Sequence, residues 1–312
     1  MTTLYPFIKW VGGKSQIIDD VFTYFPKKIT NYYEPFIGGG SILLQLINKI
    51  EQKEITVDNI FIGDFNKDLI DLYSSIKDKL NDLLVYLNKF KENYHNAPIN
   101  ENTDEKRKKI IPEKKIKDNI AKSKEHVYYF YRKMFNKLKK SNNKPIKKSA
   151  LFIFLNKTSF RGVYRENSSG EFNVPFGNYK NMEMFDENNL ENCSLLFKKY
   201  KVNFNHVNFY DWKEKIKYDN KTFIYLDPPY FPVNETSFTS YTANDFNLDQ
   251  HKNLINFCKY INTKKSNFLL SNSDTSFIKN GLKEFKIQII NLKRQINSKN
   301  PGATTNEVLI CN

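Results

Sequence analysis

The tetrapeptide DPPY, Asp227 to Tyr230, follows directly after the apolar run Phe223–Leu226. Ligands of open α/β sheets bind at the carboxyl ends of strands, so these residues stand where chemistry is expected. The proline rings restrict the backbone, so that a carbonyl group can lie beside the Asp227 carboxylate. Two adjacent acceptors suit an exocyclic NH2 group, and the Tyr230 ring offers a stacking surface for a flat base. The alternative is an ordinary strand-ending turn, for which Asp-Pro and Pro-Pro are common dipeptides.

A second candidate site combines glycines with an acidic residue. The stretch EPFIGGG, Glu34 to Gly40, lies between a strand-like segment and an apolar helical one. Glycines there let a ligand approach the backbone closely, although their spacing departs from the G-x-G-x-x-G pattern. Asp64 ends the next strand-like segment, where a carboxylate can bind two ribose hydroxyls. Together these features indicate an adenosine-containing ligand, with a structural helix cap as the alternative for Asp64.

The stretch KWVGGKS, residues 9–15, has the glycines, lysine and hydroxyl residue of a phosphate-binding loop. The motif G-x-x-x-x-G-K-[ST] requires a glycine where this chain has Ile8, and it follows a strand for which few residues are available. The sequence therefore favours a glycine turn that opens a helix over a nucleoside triphosphate site.

Net charge points to a polyanionic partner. The chain of 312 residues has a formal charge of +15, and residues 91–150 contain 18 Lys and Arg against 7 Asp and Glu. Such a charge favours nucleic acid as the partner. A lysine-rich, solvated surface is the alternative, but it would spread the excess evenly along the chain. A hydrophobic fraction of 40% indicates a folded globular protein.

The cysteines and the distribution of apolar residues bear on metal binding and on the compartment in which the protein acts. The cysteines Cys193, Cys258 and Cys311 form no C-x-x-C pair, and four scattered histidines suggest no metal site. We find no run of about 18 apolar residues and no signal-peptide pattern. We therefore expect the protein to stay in the cytoplasm of a bacterial cell or of a virus-infected host cell.

The elements that must position these motifs follow an α/β rhythm that is interrupted once. Strand-like and helical segments alternate in residues 1–75 and again in residues 190–312. Residues 76–189 read as a basic, mostly helical insertion, in which residues 156–180 have the glycines and hydroxyls of a loop or hairpin. We predict one α/β sheet domain formed by the two outer segments and an inserted target-recognition region.

Taken together, the motifs resemble those of the Dam-like adenine-specific DNA methyltransferases of the alpha group. The matching segments cover nearly the whole chain in family order: PFIKWVGGK, YYEPFIGGGS, DFNKDLIDLY, SFRGVYRENSSGEFNVPFGNYK, DPPYFPVNETSFTSYTANDF, LLSNSD and NEVLICN. The resemblance implies a Rossmann-like S-adenosylmethionine-dependent methyltransferase sheet with an inserted DNA-recognition domain. It implies methyl transfer to N6 of an adenine flipped out of double-stranded DNA, with S-adenosylhomocysteine as product and without a metal.

The resemblance also implies roles for individual residues. The catalytic residues would be Asp227, Pro228, Pro229 and Tyr230. The cofactor-binding residues would be Trp10, Lys14, Phe36, Gly38, Gly40, Asp64 and Asp227. The DNA-binding residues would be Lys9, Phe160, Arg161, Val163, Arg165, Pro175, Asn178 and Tyr179. Among these, Arg165 would read guanine, Val163 or Pro175 a thymine methyl group, and Phe160 would fill the gap left by the flipped base.

Two positions depart from the family pattern. Dam has Asn where this chain has Arg161, and Arg where it has Asn178. GATC therefore stays one candidate site beside another short palindrome such as CATG. A methyltransferase of RNA or protein and a DNA-binding relative without catalysis are the alternative functions. A restriction endonuclease that acts separately is a partner that the family allows.

Overall fold

The structure is a computed structural model that describes residues 3–98, 123–141, 143–179, 182–233, 246–293 and 304–312. The chain divides into two compact units. The first, called the sheet unit below, contains Lys14–Phe65 and Tyr200–Asn312. The second, called the helical unit, contains Thr2–Gly13 and Asn66–Lys199. Two of these boundaries differ by about ten residues from the 75/76 and 189/190 positions expected from the sequence, and Thr2–Gly13, expected in the sheet domain, belongs to the helical unit. The functional assignment of each part stays a prediction.

The sheet unit contains a seven-stranded sheet in the order β3-β2-β1-β4-β5-β7-β6. The strands are β1 Lys28–Glu34, β2 Thr56–Asp64, β3 Asn203–His206, β4 Thr222–Leu226, β5 Asn267–Ser273, β6 Lys286–Lys293 and β7 Thr304–Cys311. Strands β1 to β5 pair in parallel, and β7 runs antiparallel between β5 and β6. This topology confirms the α/β class and the Rossmann-like sheet that the sequence predicts.

The helices of the described residues fall into both units. Helices α1 Ile18–Phe22, α2 Ser41–Glu51, α8 Leu248–Thr263 and α9 Ser276–Gly281 belong to the sheet unit. Helices α3 Lys67–Asp78, α4 Leu80–His95, α5 Lys124–Ser141, α6 Pro145–Thr158 and α7 Glu187–Lys199 belong to the helical unit. Short 3-10 helices cover Phe160–Gly162 and Phe209–Trp212. None of the described helices is long and apolar enough to cross a membrane.

Strand β4 lies in the centre of the sheet, between β1 and β5. All five of its residues are buried, which explains the apolar run Phe223–Leu226, since a strand covered on both faces has no polar side. The helix α8 packs against β5 beside it. The sheet therefore brings the residues that follow β4 to the carboxyl edge of a rigid central strand.

The helical unit is built around α6. Its segment ALFIFL is apolar on all sides, and every residue of Ala150–Leu155 is buried against the surrounding helices α3, α4 and α5. One charged residue of α6 is also buried: the Lys148 ammonium lies 2.6 Å from Asp68 and 2.9 Å from Asp71. The two carboxylates of α3 provide the counter-charge that a buried lysine requires.

A hairpin follows α6. The helix continues through the polar residues Asn156–Thr158, where the Thr158 hydroxyl donates to the Phe154 carbonyl at 2.6 Å, so the loop that the sequence predicts from residue 156 begins at Ser159. Antiparallel bridges join Ser159 to Phe176 and Glu166 to Phe172. Parts of other predicted segments lie outside the described residues, namely residues 99–122 and 142 of the basic segment, residue 180 of the hairpin and residues 234–245 of the segment after DPPY.

Candidate active site and nucleic-acid interface

The tetrapeptide DPPY begins at the carboxyl end of β4, and Asp227 there forms an ion pair with Lys14. The Lys14 Nζ atom lies 2.7 Å from the Asp227 Oδ1 atom, and the two side chains are 3% and 18% exposed. The same Nζ atom lies 5.0 Å from the centroid of the Tyr230 ring, within the range of a cation–π contact. The fold thus brings together Lys14 and two DPPY residues that are more than 200 positions away along the chain.

Burial shapes the acid–base properties of this cluster. It raises the pKa of Asp227, and the neighbouring Lys14 charge opposes that rise. Burial, followed by the charges of Asp227 and Glu307, raises the pKa of Tyr230 well above its usual value, so the phenol stays protonated. Its hydroxyl donates a hydrogen bond to Glu307 Oε2 at 2.7 Å. The cluster therefore combines a carboxylate acceptor with a neutral aromatic ring.

The backbone after DPPY is tied to the end of β5. The Phe231 amide donates to Asn272 Oδ1 at 3.1 Å, and the Ser273 hydroxyl donates to the Phe231 carbonyl at 2.6 Å. Pro228 is buried and Pro229 is exposed. These contacts fix the loop directly after the tetrapeptide. The motif LLSNSD marked a strand in the sequence, but nothing in the pattern indicated that its Asn and Ser hold this loop.

The glycine turn between β1 and α2 is linked to Asp64. Gly38 and Gly40 have φ angles of +50° and +75°, a region that favours glycine. The Gly38 amide donates to Asp64 Oδ2 at 3.1 Å, and the Lys14 amide donates to the Ser41 hydroxyl at 3.4 Å. A backbone without side chains beside a carboxylate fits a ligand that carries vicinal hydroxyls.

Two further residues flank this turn. The Phe36 ring is partly buried and packs with Phe209 and Phe246 at centroid distances of 5.1 and 5.8 Å. Glu34 is buried, accepts a hydrogen bond from the Tyr32 hydroxyl at 2.9 Å, and burial raises its pKa to about 8. Glu34 is therefore mostly neutral at neutral pH, which the motif EPFIGGG alone does not reveal.

Trp10 belongs to the helical unit, whereas the other predicted cofactor residues belong to the sheet unit. Its ring stacks on Phe152 and Tyr164 at centroid distances of 6.2 and 5.7 Å, and those two rings stack on each other. The indole is thus held by packing within its own unit. Its predicted contact with a cofactor stays a prediction.

The eight predicted DNA-binding residues all belong to the helical unit, and we call them the hairpin surface: Lys9, Phe160, Arg161, Val163, Arg165, Pro175, Asn178 and Tyr179. Six are exposed, while Val163 and Tyr179 are partly buried. The Arg161 guanidinium lies 5.2 Å from the Phe160 ring centroid, and the Lys9 ammonium lies 4.9 Å from that of Tyr179. Cations and flat rings are therefore interleaved on this largely exposed set of residues, a combination that suits nucleic-acid binding.

Asn156 joins the two parts of the hairpin surface. This buried side chain accepts from the Lys9 amide at 2.8 Å and donates to the Lys9 and Gly162 carbonyls at 2.8 and 2.9 Å. The sequence motifs did not indicate this role. A single polar residue that ends the apolar run ALFIFL is the only signal that could have done so.

Helix α5 holds the returning arm of the hairpin. Tyr128 and Arg132 donate to the Val174 carbonyl at 2.7 and 3.1 Å, and Asn136 exchanges hydrogen bonds with the Phe172 backbone at 2.9 and 3.1 Å. These three side chains are four residues apart and so lie on one face of the helix. The basic and aromatic composition of α5 predicted a helix but not this series of contacts.

Comparison with known proteins gives consistent matches over nearly the full length. A family model described as D12 class N6 adenine-specific DNA methyltransferase matches residues 10–296. The chain is 38% identical to the type II methyltransferase M.MjaIII of Methanocaldococcus jannaschii, over 94% of this chain and 93% of that protein. It is 30% identical to the type II methyltransferase M1.LlaDCHI of Lactococcus lactis subsp. cremoris, over 99% and 95%. It is also 30% identical to the DNA adenine methylase of Escherichia coli K12, over 97% and 92%.

Proposed function

This chain belongs to the D12 class of N6 adenine-specific DNA methyltransferases, and we propose that Lys14, Asp227 and Tyr230 form its active site. The observation that carries the proposal is the ion pair of 2.7 Å between Lys14 and Asp227, with the Tyr230 ring beside it. It lies at the carboxyl end of the central strand β4, the edge of the sheet at which ligands of this architecture bind.

Membership of this family implies S-adenosylmethionine as the cofactor, which supplies a methyl group bound to a positively charged sulfur atom. The glycine turn at Gly38 and Gly40 would admit the adenosine close to the backbone, and Asp64 would accept hydrogen bonds from the ribose hydroxyls. Phe36 would pack beside the cofactor, and Lys14 and Asp227 would complete the pocket. The hydrogen bond between Gly38 and Asp64 supports this assignment, because it holds the carboxylate at the turn. The Trp10 contact is proposed from family resemblance alone.

In the proposed reaction the protein aligns and polarises an adenine that has left the DNA helix. The Asp227 carboxylate and the Pro228 carbonyl accept hydrogen bonds from the two N–H groups of the exocyclic amino group, which leaves the nitrogen lone pair directed towards the methyl donor. The Tyr230 ring stacks on the flipped base. Burial supports this role, since the low-dielectric surroundings that raise the pKa of Asp227 also strengthen its hydrogen bonds.

The hairpin surface is proposed as the DNA-reading surface. Arg165 is exposed and its Nε atom donates to Asn173 at 2.8 Å, which orients the guanidinium for a bidentate contact with guanine. Val163 and Pro175 offer apolar contacts to thymine methyl groups. Phe160, which is 48% exposed, would fill the space of the flipped base. Exposed lysines of the helical unit, such as Lys137 on α5, would contact phosphates.

The target site is proposed to depend on Arg161 and Asn178. Both residues are exposed and adopt left-handed backbone angles, with φ of +59° and +50°. Such angles are costly for Arg, and strain of this kind is found where function maintains it. GATC and another short palindrome such as CATG are the two candidate sites. Two relatives are named type II methyltransferases, which supports a further proposal that this chain protects DNA against a separate endonuclease.

The test is to incubate the purified protein with S-adenosylmethionine and unmethylated plasmid, and to map modified bases by modification-sensitive long-read sequencing. We expect N6-methyladenine in one short motif. The variant Asp227→Ala should give none, whereas Asp249→Ala should match the wild type, because Asp249 is an 82% exposed carboxylate on α8. Plasmid modified in this way should resist an endonuclease that cleaves the same motif.

Methylation of RNA without methylation of DNA would overturn the DNA assignment. Full activity of Asp227→Ala would overturn the proposed active site while leaving the family assignment intact.

A further inference from the structure

Tyr230 has contacts both at the face of its ring and at its hydroxyl group. The Lys14 ammonium lies over its ring, and its hydroxyl donates to Glu307 at 2.7 Å. Glu307 lies on β7, where it pairs with Ser273 of β5 and Ile290 of β6. Tyr230 lies in an irregular loop next to the exposed Pro229, so its hydroxyl contact ties the loop to the ordered sheet.

We propose that Glu307 is a positioning residue for methyl transfer, which fixes the orientation of the Tyr230 ring through the phenolic hydroxyl. This inference rests on the proposed role of Tyr230 as the ring on which the target adenine stacks. A phenol that donates to a carboxylate forms a short, charge-assisted hydrogen bond, which restrains rotation of the ring and displacement of the loop. Glu307 would position the base through the Tyr230 hydroxyl, and its negative charge, in addition to burial, also contributes to the raised pKa of Asp227.

The contact geometry favours this role over a purely structural one. Glu307 is partly exposed, so its carboxylate does not need Tyr230 to satisfy a buried charge. The tyrosine hydroxyl, by contrast, lies where burial and two carboxylates raise its pKa. The hydrogen bond therefore contributes more to holding the Tyr230 ring in place than to stabilising the sheet. Loss of the acceptor should misalign the flipped base and slow the chemical step, because small errors in alignment reduce rates strongly.

The experiment is a double-mutant cycle on single-turnover methyl transfer to a duplex that contains the mapped motif. Glu307→Met keeps the side-chain volume and removes the acceptor, and Tyr230→Phe removes the donor. Each should lower the rate constant by roughly ten- to a hundred-fold, as expected for a hydrogen bond to a charged group. The double variant should lose no more than Tyr230→Phe alone, because that substitution removes the contact of the hydroxyl with Glu307 together with its contact with Asp227.

Two control variants and two further measurements separate positioning from folding. Glu307→Gln keeps an acceptor oxygen and should restore the rate to within about threefold of the wild type. Glu284→Met changes an exposed glutamate that pairs with Lys259 at 3.2 Å, and it should leave the rate unchanged. The fluorescence of 2-aminopurine at the target position should rise further in Glu307→Met than in the wild type, since the flipped base is less stacked. Melting temperatures identify any variant that fails to fold, in which case Glu307→Gln and Tyr230→Phe still give opposite expected results.

Wild-type rates in Glu307→Met, or a double variant that loses the product of the two single effects, would overturn the inference. An inactive Glu307→Gln of unchanged melting temperature would also overturn it. A wild-type protein that transfers no methyl group would instead overturn the proposed function, so the two failures are distinguishable.

Discussion

The proposed active-site cluster of the sheet unit (Lys14, Asp227 and Tyr230) and the hairpin surface of the helical unit hold their side chains in opposite ways. Lys14 is 3% exposed and pairs with Asp227, so charge and burial fix its position. Phe160 is 48% exposed, and the structure fixes its backbone rather than its ring, through a hydrogen bond of 2.8 Å to Pro175. Catalysis needs preorganised groups whose positions do not change, whereas reading DNA needs side chains that are free to meet bases.

This difference has energetic consequences. Removal of one partner from a buried ion pair costs about 3–5 kcal/mol, because the other charge is left uncompensated. Exposed substitutions away from such features usually change stability by less than about 0.5 kcal/mol. Variants of the hairpin surface should therefore change DNA binding without unfolding the protein, provided that its backbone supports are kept.

The largest expected effect on DNA binding comes from breaking a backbone support of the hairpin surface with Gly177→Ala. A Cβ atom at Gly177 would lie 2.6 Å from the Ser159 carbonyl oxygen, so the two arms of the hairpin must separate. We expect specific DNA affinity, measured by fluorescence anisotropy, to fall by roughly a hundred-fold, a loss of about 3 kcal/mol. Cofactor affinity should not change.

The matched control for this variant is Gly170→Ala. Gly170 also lies in the hairpin and has a φ of +70°, but a Cβ atom there would approach nothing closer than 3.8 Å. Gly170→Ala should lower the free energy of unfolding by only about 1 kcal/mol through backbone strain. Equal effects of the two substitutions would show that the spacing of the arms does not determine DNA binding.

An intermediate effect is expected from exchanging the two departures from the Dam pattern, in the double variant Arg161→Asn, Asn178→Arg. We expect the methylated motif to change, with discrimination between the old and new site altered by about ten- to a hundred-fold per affected base pair. The rate at the preferred site should stay similar, because the active-site cluster is unchanged. Sequencing of methylated plasmid gives the motif.

Lys53→Asn serves as the control for this exchange, since Lys53 also has a left-handed φ, of +61°, but belongs to the sheet unit. An unchanged motif in the double variant would assign specificity to other residues of the hairpin surface.

The smallest effect concerns the pH dependence of stability in the sheet unit. Burial raises the pKa of Glu34 from 4.5 to about 8, so the folded state binds a proton that the unfolded state has lost. Stability should therefore fall as the pH rises from 4.5 to 8. Buried His251 has its pKa lowered from 6.5 to about 4, which makes stability rise with pH below 6.5. Between pH 6.5 and 8 the free energy of unfolding should therefore change with pH through Glu34 and not through His251.

Urea denaturation of the wild type and of Glu34→Gln over this pH range tests the prediction. The wild type should lose up to about 1.4 kcal/mol per pH unit relative to the variant, whose amide does not titrate. Parallel curves would show that Glu34 is already ionised in the folded protein.

The difference between the sheet unit and the hairpin surface also explains which features could be predicted from the sequence. The motifs of the sheet unit lie at strand ends, so DPPY, EPFIGGG and Asp64 mark the carboxyl edge of the sheet by their positions in the sequence alone. Lys14 was matched to the cofactor through family resemblance, but its ion pair with Asp227 depends on folding. The hydrogen bonds that hold the hairpin surface were not predictable from the sequence. Asn156 and Lys9 are 147 residues apart, and no motif indicates that they contact each other. Glu307 was part of the matched segment NEVLICN, yet only the register of β7 brings it to Tyr230.

The most direct test of the division of labour between the two units is to measure DNA binding and methyl transfer on the same Asp227→Ala protein. The account predicts that specific DNA affinity stays within about threefold of the wild type, while the methyl-transfer rate falls by at least about a thousand-fold. Parallel loss of binding and transfer would contradict the separation of recognition from catalysis. Retained transfer would contradict the assignment of Asp227 to the chemical step.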